Sequence, residues 1–164
     1  MNRRDRGFSL LELLIVVAII LTLMLVAIPK VTTMRMTSNE TSALKTLDTL
    51  RTVCFAYQTS YGTFPKNQSQ LGPPQPGTPS GKDAADLVDA ILAPPAGTAA
   101  NKDSYAFRYV AGPADSNGII STYVITADPL SYNNTGRMRA YMDQTTGIHF
   151  TMDGSQPSAS SPLK

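Results

Sequence analysis

A lone carboxylate, Glu12, stands at the start of an apolar run that extends from Leu13 to Ile28. Just before it, a short basic leader ends at Gly7, and the aromatic residue Phe8 follows. A charged side chain in a bilayer costs roughly 2.5–3.5 kcal/mol at the centre of a helix, less near its end, and it usually has a functional partner. The spacing therefore predicts a membrane segment with one functional acid near its beginning.

The segment 8–28 is long enough to cross a membrane. Its 21 residues would measure about 31 Å as an α-helix, which matches the hydrocarbon thickness of a bilayer. An ordinary secretory signal is shorter and ends in a small-residue cleavage site, for which Ala27-Ile28-Pro29 is a poor candidate. A plain single-pass anchor would share the length and composition, but it would not need Gly7-Phe8 followed by an acid.

The leader accounts for the whole net charge of +2, because Arg3, Arg4 and Arg6 outnumber Asp5 by two. The chain after Gly7 is therefore balanced between acidic and basic side chains, and basicity gives no reason to expect a nucleic-acid partner. The positive leader instead favours an N-terminus that stays in the cytoplasm while the rest of the chain crosses the membrane.

The run Gly-Phe-Ser-Leu-Leu-Glu at 7–12 resembles the processing site of the type IV pilins and the type II secretion pseudopilins. Pro29 also resembles a proline that many members of this family have at the far end of the apolar run. The resemblance covers residues 3–29. It implies that a prepilin peptidase cleaves between Gly7 and Phe8, and that the new N-terminal Phe8 is methylated. It also implies that Glu12 and Pro29 serve assembly.

The same resemblance implies where the protein resides and what it meets. We expect a bacterial inner-membrane protein with a single pass and its head in the periplasm. It would then join a homo-oligomeric helical filament, a periplasmic pseudopilus or a cell-surface pilus. The expected partners are the prepilin peptidase, the inner-membrane assembly platform and other minor pilins or pseudopilins. No cofactor and no metal is expected.

Helical periodicity continues beyond the membrane segment. Apolar residues recur at alternating spacings of three and four, which forms one stripe at helical period: Leu47, Leu50, Cys54, Tyr57 and Tyr61. Gly62 supplies a stop signal. The pattern predicts one long helix over 8–61, kinked or short of one hydrogen bond at Pro29.

The remainder of the chain predicts a short helix and a small sheet. The proline-rich stretch 62–81 should be a loop, and 84–92 should be a helix with one apolar face. Alternating and β-branched runs predict strands at 104–111, 119–127, 137–143 and 148–152. The fold class is therefore α+β, a pilin fold in which a long N-terminal helix packs on a small antiparallel sheet. The expected regions are a cleaved leader (1–7), a transmembrane and assembly helix (8–28), a soluble head (29–152) and a disordered tail (153–164).

Two other residues and one loop could carry chemistry. Cys54 is the single cysteine, which excludes an intramolecular disulfide, and its place on the apolar stripe favours a buried inert thiol. His149 is the single histidine, and its predicted strand favours a packing role. The loop at 128–134 begins with Asp128 and could offer oxygen ligands from Ser131, Asn133 and Asn134 to calcium. Ordinary turn chemistry of Asp and Asn is the favoured explanation of these residues, so no calcium site is predicted.

Three function classes remain open. The first is a structural filament subunit, and the second is a minor subunit that binds a ligand such as a secreted substrate or DNA. The third is a membrane-anchored enzyme with a pilin leader. Against the enzyme, the sequence has no nucleophile–histidine–acid set, no glycine-rich phosphate loop and no metal cluster. The prediction is therefore a structural subunit that is not an enzyme.

Overall fold

The computed structural model describes residues 9–145 and 147–163, with the side chains of residues 26–29 excepted. One helix, α1, runs from Leu10 to Tyr61. Its backbone is helical through position 29, so the proline does not end it. The chain divides into two compact units, Met1–Arg35 and Met36–Lys164. Met36–Lys164 is called the head below, and Leu10–Leu25 is called the apolar segment of α1.

The head contains a five-stranded sheet in which each strand pairs antiparallel with its neighbour in the order of the chain. Its strands are β1 (Ala100–Lys102), β2 (Tyr105–Ala111), β3 (Tyr123–Pro129), β4 (Arg139–Asp143) and β5 (His149–Thr151). In the register, Phe107 lies opposite Ala127, which in turn lies opposite Ala140. The predicted α+β arrangement, a long helix with a small antiparallel sheet, is confirmed, although the sheet has five strands where four were predicted.

The core forms where the C-terminal half of α1 meets one face of the sheet. Alternation in β3 buries every second side chain, and Ile125 is fully buried. The helix contributes the predicted stripe, of which Leu47, Leu50, Cys54 and Tyr57 are also fully buried. Burying such side chains supplies about 1.5–3 kcal/mol each for the larger aliphatic and aromatic ones. The helical and strand periodicities thus converge on one core.

The predicted helix at 84–92 is wrong. Its backbone N–H groups bond to another segment and do not reach back four residues: Ala85 donates to Gln70 at 2.8 Å and Leu87 to Leu71 at 2.8 Å. Asp86 adopts a positive φ of 54°, which no α-helix allows. The acceptors belong to a 3-10 helix, Gln68–Leu71, inside the stretch predicted to be a plain loop. Tertiary hydrogen bonds therefore override the local apolar pattern.

The boundaries of the sheet also differ from prediction. β1 lies outside the four predicted strands, and it pairs Ala100 with Phe107. β3 begins at Tyr123 and not at residue 119, because Ile120 forms only an isolated bridge with Ala114. β2, β4 and β5 match their predicted strands to within two residues.

The C-terminal segment, predicted to be disordered from its composition, returns along β5. The N–H of Phe150 donates to the carbonyl of Pro162 at 3.0 Å, and His149 bridges to Leu163. Pro157 is buried. The segment therefore partners the outer edge of the sheet, where backbone groups would otherwise be unpaired.

Candidate functional site

The first turn of α1 holds Glu12 in a capping box. The N–H of Ser9 donates to Oε2 of Glu12 at 2.9 Å, and the N–H of Leu11 donates to Oγ of Ser9 at 3.3 Å. The first turn of a helix has N–H groups with no intrahelical acceptor, and a Ser-x-x-Glu pair satisfies them reciprocally. A carboxylate there also interacts favourably with the positive end of the helix dipole. The structure thus gives Glu12 a local partner at the residue after Phe8.

The apolar segment that follows has no core of its own. Its large aliphatic side chains from Leu10 to Leu25 are between 46% and 81% exposed. The hydroxyl of Thr22 donates to the carbonyl of Ile19 at 2.8 Å, so this polar group is satisfied within the helix. α1 contains a stretch long and apolar enough to cross a membrane, judged by length and composition. A helix that is apolar around its whole circumference requires an apolar environment.

The predicted site residues are described to different extents. Gly7 and Phe8 lie outside the described residues, so the cleavage junction stays a prediction from sequence. The backbone of Pro29 lies within α1, but its side chain is not described. Glu12 is described and is exposed to solvent. Its assembly role, like that of Pro29, stays a prediction.

A second glutamate, Glu40, fastens α1 to the connection between β3 and β4. Its Oε1 accepts the N–H of Arg137 at 2.8 Å and the N–H of Met138 at 3.3 Å. Beside it, Nδ2 of Asn39 donates to the carbonyl of Thr135 at 2.9 Å. Hydrogen bonds to a charged acceptor are stronger than neutral ones. These contacts join residues almost a hundred positions apart and fix the connection against the helix.

Sequence reasoning missed both contacts for different reasons. The capping box could have been read directly, because Ser9 and Glu12 have the required spacing just before an apolar run. Glu40 gave no such signal, since its partners are backbone groups of a distant connection and carry no side-chain signature.

The two residues with possible nucleophilic or basic chemistry are both packed. Cys54 is fully buried, and desolvation raises the pKa of its thiol from 9.0 to about 12. His149 is buried as well, with Nδ1 lying 2.6 Å from the carbonyl oxygen of Ser161 and its ring edge-on to Tyr141. The inert thiol and the packing role predicted for these residues fit this arrangement.

The loop considered for calcium shows turn chemistry. Oδ1 of Asp128 lies 3.6 Å from Nε of Arg139, so this carboxylate forms an ion pair. The N–H of Thr135 donates to the carbonyl of Ser131 at 2.9 Å, and Asn133 takes a positive φ of 63°. Within residues 9–145 and 147–163, no three His, Cys, Asp or Glu side chains gather as they would around a metal ion.

One family model matches the chain. Residues 2–28 match the prokaryotic N-terminal methylation motif, which includes the leader, the predicted cleavage junction and the apolar run. No curated protein and no solved structure matches the chain. The motif implies that prepilin peptidase processes the chain and that the chain assembles with pilin machinery. Together with the apolar N-terminal helix, it also indicates membrane anchoring.

The predicted resemblance of residues 3–29 is thereby confirmed by an independent match over nearly the same range. The chain carries at residues 2–28 the prokaryotic N-terminal methylation motif that is typical of type IV pilins and pseudopilins, and this motif indicates a pilin-like precursor.

Proposed function

We propose that the protein is a structural subunit of a type IV pilus-like filament or of a type II secretion pseudopilus. In this proposal the precursor sits in the bacterial inner membrane with its head in the periplasm. After cleavage it leaves the bilayer and joins a helical assembly through the apolar segment of α1. The assembly platform and other minor subunits take part in this transfer.

The observation that carries the proposal is the apolar segment with a single acid in its first turn. Lipid surrounds such a helix before assembly, and neighbouring helices can surround it afterwards, so the transfer exchanges one apolar environment for another. The gain must then come from close helix packing and from polar pairs between helices. Glu12 is the only charged side chain between Leu10 and Leu25, which makes it the candidate for such a pair.

Processing would create the partner that Glu12 needs. Cleavage after Gly7 leaves a positive amine on Phe8, the residue directly before Ser9. The bond from the Ser9 N–H holds the Glu12 carboxylate at this end of the helix. In an assembled core, the amine of one subunit and the acid of a neighbour would neutralise each other, whereas either charge alone would be costly.

A structural role is further supported by the state of the reactive side chains. The thiol of Cys54 is buried and held in its neutral form by a pKa near 12, whereas a nucleophilic cysteine needs a lowered pKa. The imidazole of His149 is buried against Ser161. We therefore propose that the protein is not an enzyme. The single cysteine, which leaves the chain without the C-terminal disulfide of many pilins, favours a pseudopilin over a pilus subunit.

N-terminal mass spectrometry of protein isolated from its own cells tests the proposal. We expect the membrane-bound and assembled forms to begin at Phe8 and to carry one added methyl group. Protein from a strain without prepilin peptidase is the control and should begin at Met1. A wild-type chain that begins at Met1 or near Ala27 would contradict the proposal.

A further inference from the structure

A polar cavity of about 320 Å³ lies in the head near the C-terminal end of α1. Five segments line it: the last turns of α1, the residues just after the helix, the 3-10 helix Gln68–Leu71, the turn Gly81–Ala84, and the connection between β2 and β3. A cavity of this size is at the lower end of the range used for small-molecule sites. Filament formation through the apolar segment makes no use of it.

The walls of the cavity are fixed by hydrogen bonds between distant parts of the chain. The hydroxyl of Tyr57 donates to the carbonyl of Lys82 at 2.6 Å. The N–H of Ile120 donates to Oγ1 of Thr63 at 2.8 Å, and the N–H of Phe64 donates to the carbonyl of Ile120 at 3.0 Å. The walls are therefore preformed, and the ordering cost of binding falls on the exposed side chains that line the cavity.

Gln70 positions the one carboxylate of the cavity. This side chain is buried, and its Oε1 accepts the N–H of Lys66 at 2.7 Å while its Nε2 donates to Oδ1 of Asp83 at 3.1 Å. Asp83 itself is exposed, and its second oxygen can still accept a hydrogen bond. The cavity thus contains a held acceptor for a hydroxyl group.

Three further side chains line the cavity with donors to spare: Lys66, Lys82 and Asn117. All three are exposed, and among the residues that the structure describes their side-chain nitrogens make no hydrogen bond or ion pair. Two ammonium groups and one carboxylate leave an excess of positive charge. Ammonium groups bind carboxylate and phosphate oxygens by charge-assisted hydrogen bonds.

We propose that this cavity binds a small hydroxylated organic anion, of the size and class of a sugar acid or a sugar phosphate. The ammonium groups of Lys66 and Lys82 take the carboxylate or phosphate, and the carboxylate of Asp83 accepts hydroxyl donors. This site is independent of filament assembly, so the two proposals stand or fall separately.

Isothermal titration of the full-length protein in detergent micelles tests the site with four probes: glucose 6-phosphate, glucuronate, inorganic phosphate and glucose. We expect the two sugar anions to bind, inorganic phosphate to bind more weakly because it offers Asp83 fewer donors, and glucose to give no heat. If no probe binds at millimolar concentration, or if glucose binds as well as the anions, the proposal is wrong.

Matched variants locate the binding. Lys66→Gln and Lys82→Gln should each lower the affinity for both sugar anions about tenfold, since each substitution removes a charged hydrogen bond. Lys45→Gln removes an exposed lysine of α1 that does not line the cavity, and it should change nothing. Asp83→Asn should narrow the difference in affinity between the sugar anions and inorganic phosphate, because the amide NH2 that replaces the free oxygen cannot accept a hydroxyl donor. Equal binding by all four variants would overturn the assignment, and unchanged thermal unfolding checks that each variant is folded.

Discussion

The two halves of α1 share one helical backbone but bury their side chains in opposite ways. In the apolar segment, Leu21 is 57% exposed and none of its large neighbours from Leu10 to Leu25 is buried. In the head, Leu47 is fully buried in the core, with 0% accessible surface. The apolar segment therefore requires lipid or other chains to cover its side chains, whereas the part of α1 in the head packs against the sheet of its own chain. Stability of the head and assembly of the filament should consequently depend on different residues of the same helix.

Two leucine substitutions test this division most strongly. Leu47→Ala should destabilise the head by about 2–5 kcal/mol, because it removes buried methyl groups and leaves a cavity in the core. Leu21→Ala, the matched control, should leave head unfolding unchanged, because this side chain contacts no core. Urea unfolding of the full chain in micelles, followed by near-ultraviolet circular dichroism, measures both. Equal losses would show that the two halves are not energetically separate.

The two glutamates of α1 sharpen the comparison. Glu40→Ala leaves the N–H groups of Arg137 and Met138 without their acceptor and should cost the head about 1–3 kcal/mol. Glu12→Ala should leave head stability unchanged but lower the yield of sheared, pelleted filaments more than about tenfold, since it leaves a buried amine uncompensated.

Each glutamate variant is the control for the other. Wild-type filament yield with Glu12→Ala would refute the pairing role, and unchanged unfolding with Glu40→Ala would show that the connection between β3 and β4 does not depend on this carboxylate.

A smaller effect is expected at the sheet edge. Removing residues 156–164 deletes the bond between Phe150 and Pro162 and the contact of His149 with Ser161. We expect a loss of about 1 kcal/mol, the usual net contribution of a hydrogen bond, in the same urea experiment. A chain that ends at residue 163 keeps both contacts and is the control. An unchanged midpoint after the longer truncation would mean that the segment is disordered in solution, as its composition suggests.

The parts of the fold that could be predicted are those in which apolar side chains recur at a regular helical or strand spacing. The helical stripe that includes Leu47 and Tyr57, and the strict alternation of β2, place apolar side chains on one face, so local pattern and final burial agree. The run 84–92 has an equally good apolar pattern and fails, because Gln70 and Leu71 offer its backbone better acceptors. Which acceptors a segment meets is decided by the tertiary fold.

The candidate sites divide in the same manner. The junction at Gly7-Phe8 and the acid Glu12 lie within six residues of each other, so their spacing alone predicts the motif that the family model matches over residues 2–28. The polar cavity combines Lys66, Lys82 and Asn117 from segments that are separated by loops. No local sequence pattern predicts such a site. The turns that bring its residues together depend on tertiary hydrogen bonds, such as that from the hydroxyl of Tyr57 to the carbonyl of Lys82.

The smallest expected effect concerns the pH dependence of the head half. Burial raises the pKa of Cys54 from 9.0 to about 12, so the folded state keeps this thiol protonated where the unfolded chain loses the proton. The unfolded state then binds fewer protons, and stability falls as pH rises from 9 toward about 12. Buried tyrosines act in the same direction, chiefly as pH rises through 10, since burial raises the pKa of Tyr57 from 10.0 to about 12, and they contribute equally to wild-type protein and to Cys54→Ala. Between pH 9 and pH 10, wild-type protein should therefore lose up to about 1 kcal/mol that Cys54→Ala does not lose. If the urea midpoints of the two proteins change equally with pH across this interval, the core around Cys54 admits water.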